Sequence, residues 1–201
     1  MPPLVSHRRV RPSVRRSVVP FPPAARTKTM TFGTFSSSLG TLLIAASARG
    51  ISFVAFGDSA LELKQALRAE FPRASITEDA SQVVAWARSI EAMLRGVESR
   101  GSLPTDTSGT DFQELVWEQL RRIPRGERCT YQELAVRIGK PKAVRAVAQA
   151  CATNNVAVIV PCHRVVRTDG ALGGYRWGVR RKEALLSIER AVTETQRARR
   201  T

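Results

Sequence analysis

The stretch from residue 130 to residue 166 reads TYQELAVRIGKPKAVRAVAQACATNNVAVIVPCHRVV. Thr130, with Glu133 three residues later, has the spacing of a capping box, which predicts a helix that ends near Gly139. A Lys-Pro-Lys turn then separates this helix from a second one over residues 143–153. Two short helices that are joined by a tight turn and rich in bases predict a helix-turn-helix. The apolar residues 156–160 predict a short buried strand.

The second of these helices is unusual for one that reads a base sequence. Reading base edges requires Arg, Asn or Gln at several positions, whereas residues 143–150 carry small side chains apart from Arg145 and Gln149. Small side chains let a helix backbone approach DNA closely, and a single arginine among them can enter the base stack as a wedge. The alternative is an ordinary core helix of Ala and Val, with Arg145 in solvent.

Cys162 is the candidate nucleophile, in the run PCHR of residues 161–164. A thiol becomes a nucleophile when it loses its proton, which requires a neighbouring base or positive charge. His163 and Arg164 supply both types next to it in sequence, although adjacent side chains often point apart. The alternative is a buried structural cysteine, a common fate of an unpaired cysteine.

The segments on either side of this stretch predict further strands and helices. Residues 41–46 and 51–56 are apolar runs around a short turn, which predicts a β-hairpin. Asp58 or Ser59 caps a helix that continues to about residue 70, and another helix is predicted over residues 81–94. The remaining segments are a linker over residues 96–109 and helices over residues 110–122 and 179–190.

The 201-residue chain has a formal net charge of +15, and this charge is unevenly distributed. Residues 121–182 carry fourteen bases and three acids, whereas residues 31–120 carry seven bases and eleven acids. A basic half beside a mildly acidic half predicts a polyanion as the partner of the basic half, with an ordinary solvated surface as the alternative.

Residues 1–30 hold seven bases and no acid and predict a disordered extension, unless the true start is Met30.

The cysteines and the hydropathy argue against several classes of protein. Cys129, Cys151 and Cys162 are odd in number and widely spaced, and no Cys/His cluster has the spacing of a zinc site. Neither a disulfide framework nor a metal site is therefore predicted. The chain has no run of about 18 apolar residues and no secretory signal, so we expect no membrane span.

Four motifs together resemble one family of DNA-repair proteins. Residues 159–165 (IVPCHRV) resemble the acceptor-cysteine motif of the O6-alkylguanine-DNA alkyltransferases, also called methylated-DNA–protein-cysteine methyltransferases. Residues 131–135 (YQELA), 139–147 (GKPKAVRAV) and 174–178 (GYRWG) occur in that family's order and spacing. The resemblance covers roughly residues 32–189, and the second half is similar to the repair half of the bacterial protein Ada.

The resemblance implies a fold and a reaction. The fold is a ribonuclease-H-like α/β subdomain over residues 31–105 and a mostly helical subdomain with the helix-turn-helix over residues 106–191, flanked by basic extensions at residues 1–30 and 192–201. The reaction is irreversible transfer of the alkyl group from O6-alkylguanine, and from O4-alkylthymine, in DNA to the protein's own cysteine. The resemblance also implies a monomer of the bacterial cytoplasm that uses no cofactor and no metal.

The resemblance also implies a catalytic role for each of five residues. Cys162 is the alkyl acceptor, and His163 is the base that activates it through a bridging water. Glu189 orients that histidine. Asn154 braces the active-site turn, and Tyr131 lies near the guanine ring and is suited to give it a proton.

The other implied sites bind DNA and the substituent. Double-stranded DNA that carries O6-alkylguanine is bound through its minor groove with little sequence specificity. Arg145 fills the space of the flipped base. The other residues that the resemblance implies in DNA binding are Thr130, Ala143, Val144 and Ala146. The substrate pocket is formed by Cys151, Val165, Tyr175 and Trp177. Trp177 is expected to narrow the pocket and to favour a methyl group over a benzyl group.

Two other classes of function remain open from the residues alone. A binding module that senses alkylated DNA without repairing it predicts no transfer to Cys162. A cysteine hydrolase that uses Cys162 and His163 predicts turnover and no stable adduct. The presence of Cys162 argues against membership of the alkyltransferase-like proteins, which have another residue in place of the acceptor cysteine.

Overall fold

The computed structural model of the protein describes residues 28–97 and 103–198. The first half is built on a four-stranded mixed sheet with the strand order β3-β2-β1-β4. Its strands are β1 (Thr29–Ser37), β2 (Gly40–Ser47), β3 (Gly50–Gly57) and β4 (Ser75–Glu78). The β1–β2 and β2–β3 pairs are antiparallel, and β4 lies parallel to β1. The predicted hairpin is confirmed as β2 and β3, whereas β1 and β4 were not predicted.

Two helices pack against this sheet, and their caps explain where they begin. The hydroxyl of Ser59 accepts a hydrogen bond from the amide of Glu62 and starts α1 (Ala60–Glu70), so Ser59 rather than Asp58 is the cap. Asp79 accepts from the amide of Ser81 and starts α2 (Ala80–Leu94). The buried residues of α2 follow the helical repeat and are Val83, Ala87, Ile90 and Leu94. Both predicted helices are therefore confirmed.

The predicted basic extension is too long at its carboxyl end. Thr29 and Met30 belong to β1, and the Met30 side chain is only 1% exposed. Lys28 forms an ion pair of 2.9 Å with Asp106. The folded part therefore begins no later than residue 28, and residues 1–27 lie outside the described part of the chain.

The predicted linker, residues 96–109, forms hydrogen bonds with strand β3 before the second half begins. The amide of Ile51 donates to the carbonyl of Pro104 (2.9 Å), and the amide of Asp106 donates back to the carbonyl of Ile51 (2.8 Å). The buried Asp106 carboxylate accepts from the Ser47 hydroxyl (2.6 Å) and pairs with Arg49 (2.7 Å) as well as with Lys28. These contacts attach the start of the second half to the hairpin.

The second half is mostly helical. Its elements are α3 (Asp111–Arg121), β5 (Cys129–Thr130), α4 (Tyr131–Arg137), α5 (Val144–Ala152), a single 3-10 turn (Cys162–Arg164), β6 (Val165–Val166) and α6 (Val179–Ala198). The predicted capping box is present at the start of α4, where Thr130 and Glu133 bond reciprocally. The Trp117 indole of α3 donates to the Ala150 carbonyl of α5 (2.8 Å), which docks these two helices. α6 is longer than predicted.

The strand predicted over residues 156–160 is wrong. Val156 makes one isolated bridge to Val54, and the chain then turns. Val158 has φ +69°, a left-handed conformation that is rare for a β-branched residue. The Asn154 side chain satisfies the backbone here, because it donates to the Val160 carbonyl (2.7 Å) and accepts from the Val156 amide (3.0 Å). A buried apolar run therefore forms a turn instead of a strand.

Among the described residues, no helix has both the length and the apolar composition that a membrane crossing requires. No group of three or more His, Cys, Asp or Glu side chains within the described ranges is arranged to hold a metal ion.

Candidate active site around Cys162

A cavity of about 500 Å³ opens between α5, the start of α4 and the loop that precedes α6. Its lining residues are Tyr131, Arg145, Ala148, Gln149, Cys151, Ala152, Cys162, Gly174, Tyr175 and Arg176. Five of the predicted site residues are thus brought together although they are up to 44 positions apart. The volume is in the range of sites that bind small molecules.

Cys162 lies at this cavity with its sulfur held by Asn154. The Cys162 side chain is 5% exposed, and Asn154 Nδ2 donates to its Sγ at 3.2 Å. Burial raises the pKa of the Cys162 thiol, while the Asn154 hydrogen bond and the charge of Lys182 act in the opposite direction. The resting thiol therefore keeps its proton at neutral pH and needs a base to become a thiolate.

His163 is the candidate for that base. Its Nε2 lies 3.0 Å from Glu189 Oε1, and because a carboxylate only accepts hydrogen bonds, Nε2 carries the hydrogen. Burial lowers the pKa of His163, and the Glu189 contact opposes this only in part, so the ring is neutral at pH 7. Its Nδ1 is buried and has no hydrogen-bond partner among the described residues. One unused acceptor on a buried neutral imidazole is what proton abstraction requires.

Glu189 is held in turn by Arg164. Arg164 donates to both oxygens of Glu189, with distances of 2.7 to 3.1 Å, and also to the Ile123 carbonyl (2.6 Å). Burial raises the pKa of Glu189, but the hydrogen bonds from His163 and Arg164 outweigh it and lower the pKa to about 2. Arg164 was expected to supply positive charge to Cys162. Instead, its guanidinium neutralises Glu189.

Positive charge near the thiol comes from Lys182, which was not predicted as a site residue, and to a smaller extent from Arg176. Lys182 is 0% exposed, and its ammonium donates to the carbonyls of Val165 (2.6 Å) and Leu172. Burial lowers the pKa of Lys182, while Cys162 and Cys151 raise it. A signal was present in the sequence, because the buried residues of α6 recur at helical spacing and include two ionisable ones: Lys182, Leu185, Leu186 and Glu189.

Two tyrosine hydroxyls complete the cavity. Burial raises the pKa of Tyr131 to about 12, so its hydroxyl is protonated at neutral pH and able to donate a hydrogen bond. The Tyr175 hydroxyl is buried without a partner among the described residues, and burial raises its pKa as well. Both tyrosines line the cavity, Tyr131 at the start of α4 and Tyr175 in the loop before α6.

Two residues that were assigned to the pocket do not line it. Val165 is fully buried in β6, where it pairs with Cys129 of β5. Trp177 packs edge-on against Phe53 of the sheet, with ring centroids 5.6 Å apart. The expectation that Trp177 narrows the cavity is therefore wrong, because its indole faces the first half of the chain instead.

The residues assigned to DNA binding lie at the cavity mouth and beside it. Arg145 is exposed in the first turn of α5, and it also lines the cavity. Ala146 is exposed next to it, Ala143 and Val144 are half-buried at the start of the helix, and Thr130 caps α4. The exposed Lys140 and Lys142 extend the positive charge along the turn between α4 and α5. This face combines small side chains with excess positive charge.

Comparison with known proteins is consistent with this site. The sequence model described as "6-O-methylguanine DNA methyltransferase, DNA binding domain" matches residues 111–191. The bifunctional transcriptional activator/DNA repair enzyme Ada of Escherichia coli is 50% identical over 151 residues, which are 75% of this chain and 43% of that protein. The chain thus spans less than half the length of this relative and of the similar regulatory protein ada of Salmonella typhimurium, of which it covers 42%.

Two further relatives match over nearly their whole length. The crystal structure of Mycobacterium tuberculosis OGT in complex with DNA has a TM-score of 0.70 at 33% identity, covering 81% of this chain and 94% of that chain. It shares the mixed sheet followed by a helical part. A methylated-DNA–protein-cysteine methyltransferase of Methanosarcina barkeri is 41% identical over 160 residues, which are 80% of this chain and 97% of the relative. The chain therefore belongs to the methylated-DNA–protein-cysteine methyltransferase family.

Proposed function

We propose that the protein repairs DNA by moving the alkyl group from O6 of an alkylguanine onto Sγ of its own Cys162. The observation that carries this proposal is a buried thiol at the wall of a base-sized cavity, next to a neutral histidine with a free nitrogen. A carbon–sulfur bond forms as the bond from that carbon to O6 breaks, and the electron pair remains on guanine. A thioether has no easy route to hydrolysis, so each molecule reacts once.

The neighbouring side chains account for the protons in this reaction. His163 Nδ1 takes the thiol proton through a bridging water, and Glu189, which Arg164 holds in place, stabilises the imidazolium that results. Asn154 holds the sulfur, and Lys182 supplies a nearby positive charge while the thiolate exists. Tyr131 donates to the guanine ring, which makes it a better leaving group.

The target nucleotide must leave the duplex to reach the cavity, because the thiol is buried. We assign Arg145 to fill the space that the base leaves, and the small residues around it to let α5 approach the minor groove closely. In this assignment α4 and α5 are the helix-turn-helix, and the DNA contacts are mainly to phosphates. The same cavity accepts O4-alkylthymine, since a pyrimidine is smaller than a purine.

The proposed domain organisation follows from these assignments. The sheet with α1 and α2 is the ribonuclease-H-like subdomain, extended from 31–105 to begin at residue 28. Residues 106–191 form the DNA-binding and acceptor subdomain, and the protein acts as a monomer.

The proposal is tested by the mass of the intact protein after incubation with a DNA duplex that carries O6-methylguanine. We expect each molecule to gain one methyl group, and peptide mapping to find it on Cys162. Product should stop forming when it equals the protein in amount. Continued turnover would favour the cysteine hydrolase, and an unchanged mass with retained binding would favour the sensing module.

Arg145→Ala is expected to slow transfer from duplex DNA by about 10- to 100-fold, because the lost wedge leaves an unstacking penalty of a few kcal/mol uncompensated. Transfer from a single-stranded oligonucleotide should change much less, since no base has to leave a stack. Single-turnover rates on the two substrates measure this. Arg68→Ala, which removes an exposed arginine of α1, is the matched control. An equal loss on both substrates would contradict the role as a wedge.

A further inference from the structure

Arg176 lies at the wall of the cavity, but its guanidinium is bound by residues outside the cavity. Its NH2 pairs with Glu70 Oε2 at 2.7 Å, and its NH1 donates to Asn155 Oδ1. Asn155 Nδ2 donates to the other oxygen of Glu70 at 2.9 Å. Each of the three side chains thus contacts the other two, and we call this group the Glu70 cluster.

The Glu70 cluster joins three parts of the molecule. Glu70 is the last residue of α1, in the first half of the chain. Asn155 follows Asn154, which holds the Cys162 sulfur, and its carbonyl accepts from the amide of Val54 in β3 (2.7 Å). Arg176 belongs to the loop before α6. The first half of the chain is therefore in direct contact with the wall of the proposed active site.

The loop that carries Arg176 has a glycine in a left-handed conformation at each end. Gly173 and Gly178 at its two ends have φ of +67° and +96°, conformations that favour glycine. Between them, Gly174, Tyr175 and Arg176 line the cavity. The guanidinium also lies 4.8 Å from the Trp177 ring centroid, and that ring rests on Phe53. Two side-chain contacts of the loop, Arg176 with Glu70 and Trp177 with Phe53, thus end on the first half of the chain.

The Glu70–Arg176 ion pair is strong enough to bias this loop but too exposed to lock it. The two side chains are 32% and 25% exposed, and ion pairs in such positions contribute little to stability. Burial raises the pKa of Glu70, but the hydrogen bonds from Arg176 and Asn155 outweigh it and leave the pKa below its ordinary value. Glu70 therefore stays ionised at neutral pH and keeps its hold on Arg176.

We propose that Glu70 and Asn155 are positioning residues that set the width of the cavity by holding Arg176, so that the first half of the chain determines which O6 substituents are accepted. This inference rests on the proposed function. With the Glu70 cluster intact, the loop leaves room for a small substituent such as methyl. When Arg176 is released, Tyr175 and Arg176 move on the two glycines and the cavity admits an aromatic substituent.

The test compares two substrates on the full-length chain, free O6-benzylguanine and an oligonucleotide with O6-methylguanine. Glu70→Gln keeps the size of the side chain and removes its charge. We expect the benzyl rate to rise about 2- to 5-fold relative to the methyl rate, the range that loss of a partly exposed ion pair produces. Glu78→Gln, which breaks the Lys64–Glu78 pair (2.8 Å) within the first half, should leave this ratio unchanged.

Further variants separate widening of the cavity from general loosening. Because Glu70 acts through Arg176, Arg176→Gln and the double variant should show the same ratio of rates. Additive effects in the double variant would overturn the proposal. So would an unchanged ratio, or an equal loss of both activities with a lower melting temperature. If the unaltered protein transfers neither group, the proposed function fails first, which distinguishes the two outcomes.

Discussion

Cys162→Ala is expected to abolish alkyl transfer completely while DNA binding and folding persist. The sulfur is the only atom proposed to form a bond with the substrate, and alanine occupies less space in the same turn. Transfer is measured as the gain of one methyl by mass spectrometry, binding by a fluorescent duplex, and folding by thermal unfolding. Loss of binding together with transfer would indicate a disrupted fold instead of a missing nucleophile.

Cys151→Ala and Cys129→Ala provide the matched controls. Cys151 lines the same cavity, but burial raises the pKa of its thiol strongly, and Cys162 raises it further. Cys129 is buried in β5, and burial raises its pKa too. Within the described ranges, neither thiol forms a hydrogen bond with a histidine. Both variants should keep the transfer rate within a few-fold, and a methyl group on Cys151 in the Cys162→Ala protein would contradict the assignment.

Glu189→Gln is expected to slow transfer by about 100- to 1,000-fold, within the range that loss of a working general base produces. Glutamine cannot stabilise the imidazolium form of His163, and its amide no longer specifies which ring nitrogen carries the hydrogen. The change also leaves Arg164 without its counter-ion at a site where that side chain is 13% exposed, which costs about 3–5 kcal/mol of stability. Single-turnover rates at pH 7 and urea unfolding measure the two effects.

Glu194→Gln is the matched control, since Glu194 is an exposed acid on the same helix that lies 4.0 Å from Arg190. Both the rate and the stability of this variant should stay close to those of the unaltered protein. A comparable loss of rate in the two variants would mean that α6 tolerates no change of charge, and the specific role of Glu189 would be refuted.

Comparison of the unaltered protein with Glu189→Gln also tests the ionisation of Glu189. Its pKa of about 2 in the folded protein lies below the ordinary value of 4.5 for a glutamate. The carboxylate therefore stabilises the fold fully above about pH 5, and this contribution of about 3 kcal/mol is lost as the pH falls towards 2. Glutamine does not titrate, so the stability difference between the two proteins should narrow on acidification. A constant difference from pH 7 to pH 3 would contradict the low pKa.

The elements with local signals were predictable from the sequence. Ser59 starts α1, and the reciprocal bonds of Thr130 and Glu133 start α4, because a cap acts on amides within the next turn. The hairpin of β2 and β3 also depends on neighbouring residues. In contrast, β4 pairs with β1 across a separation of more than 40 residues, and its four residues carry little pattern of their own.

The sequence by itself determined the family and the candidate nucleophile with the residues that flank it, because the motif around Cys162 is long and contiguous. Only the tertiary structure decided which charges meet. Arg164 faces Glu189 instead of the thiol, Lys182 supplies the charge near Cys162, and Glu70 holds the cavity wall from the other half of the chain. The physical reason is that local hydrogen bonds depend on neighbours in sequence, whereas burial and charge pairing depend on which distant surfaces pack together.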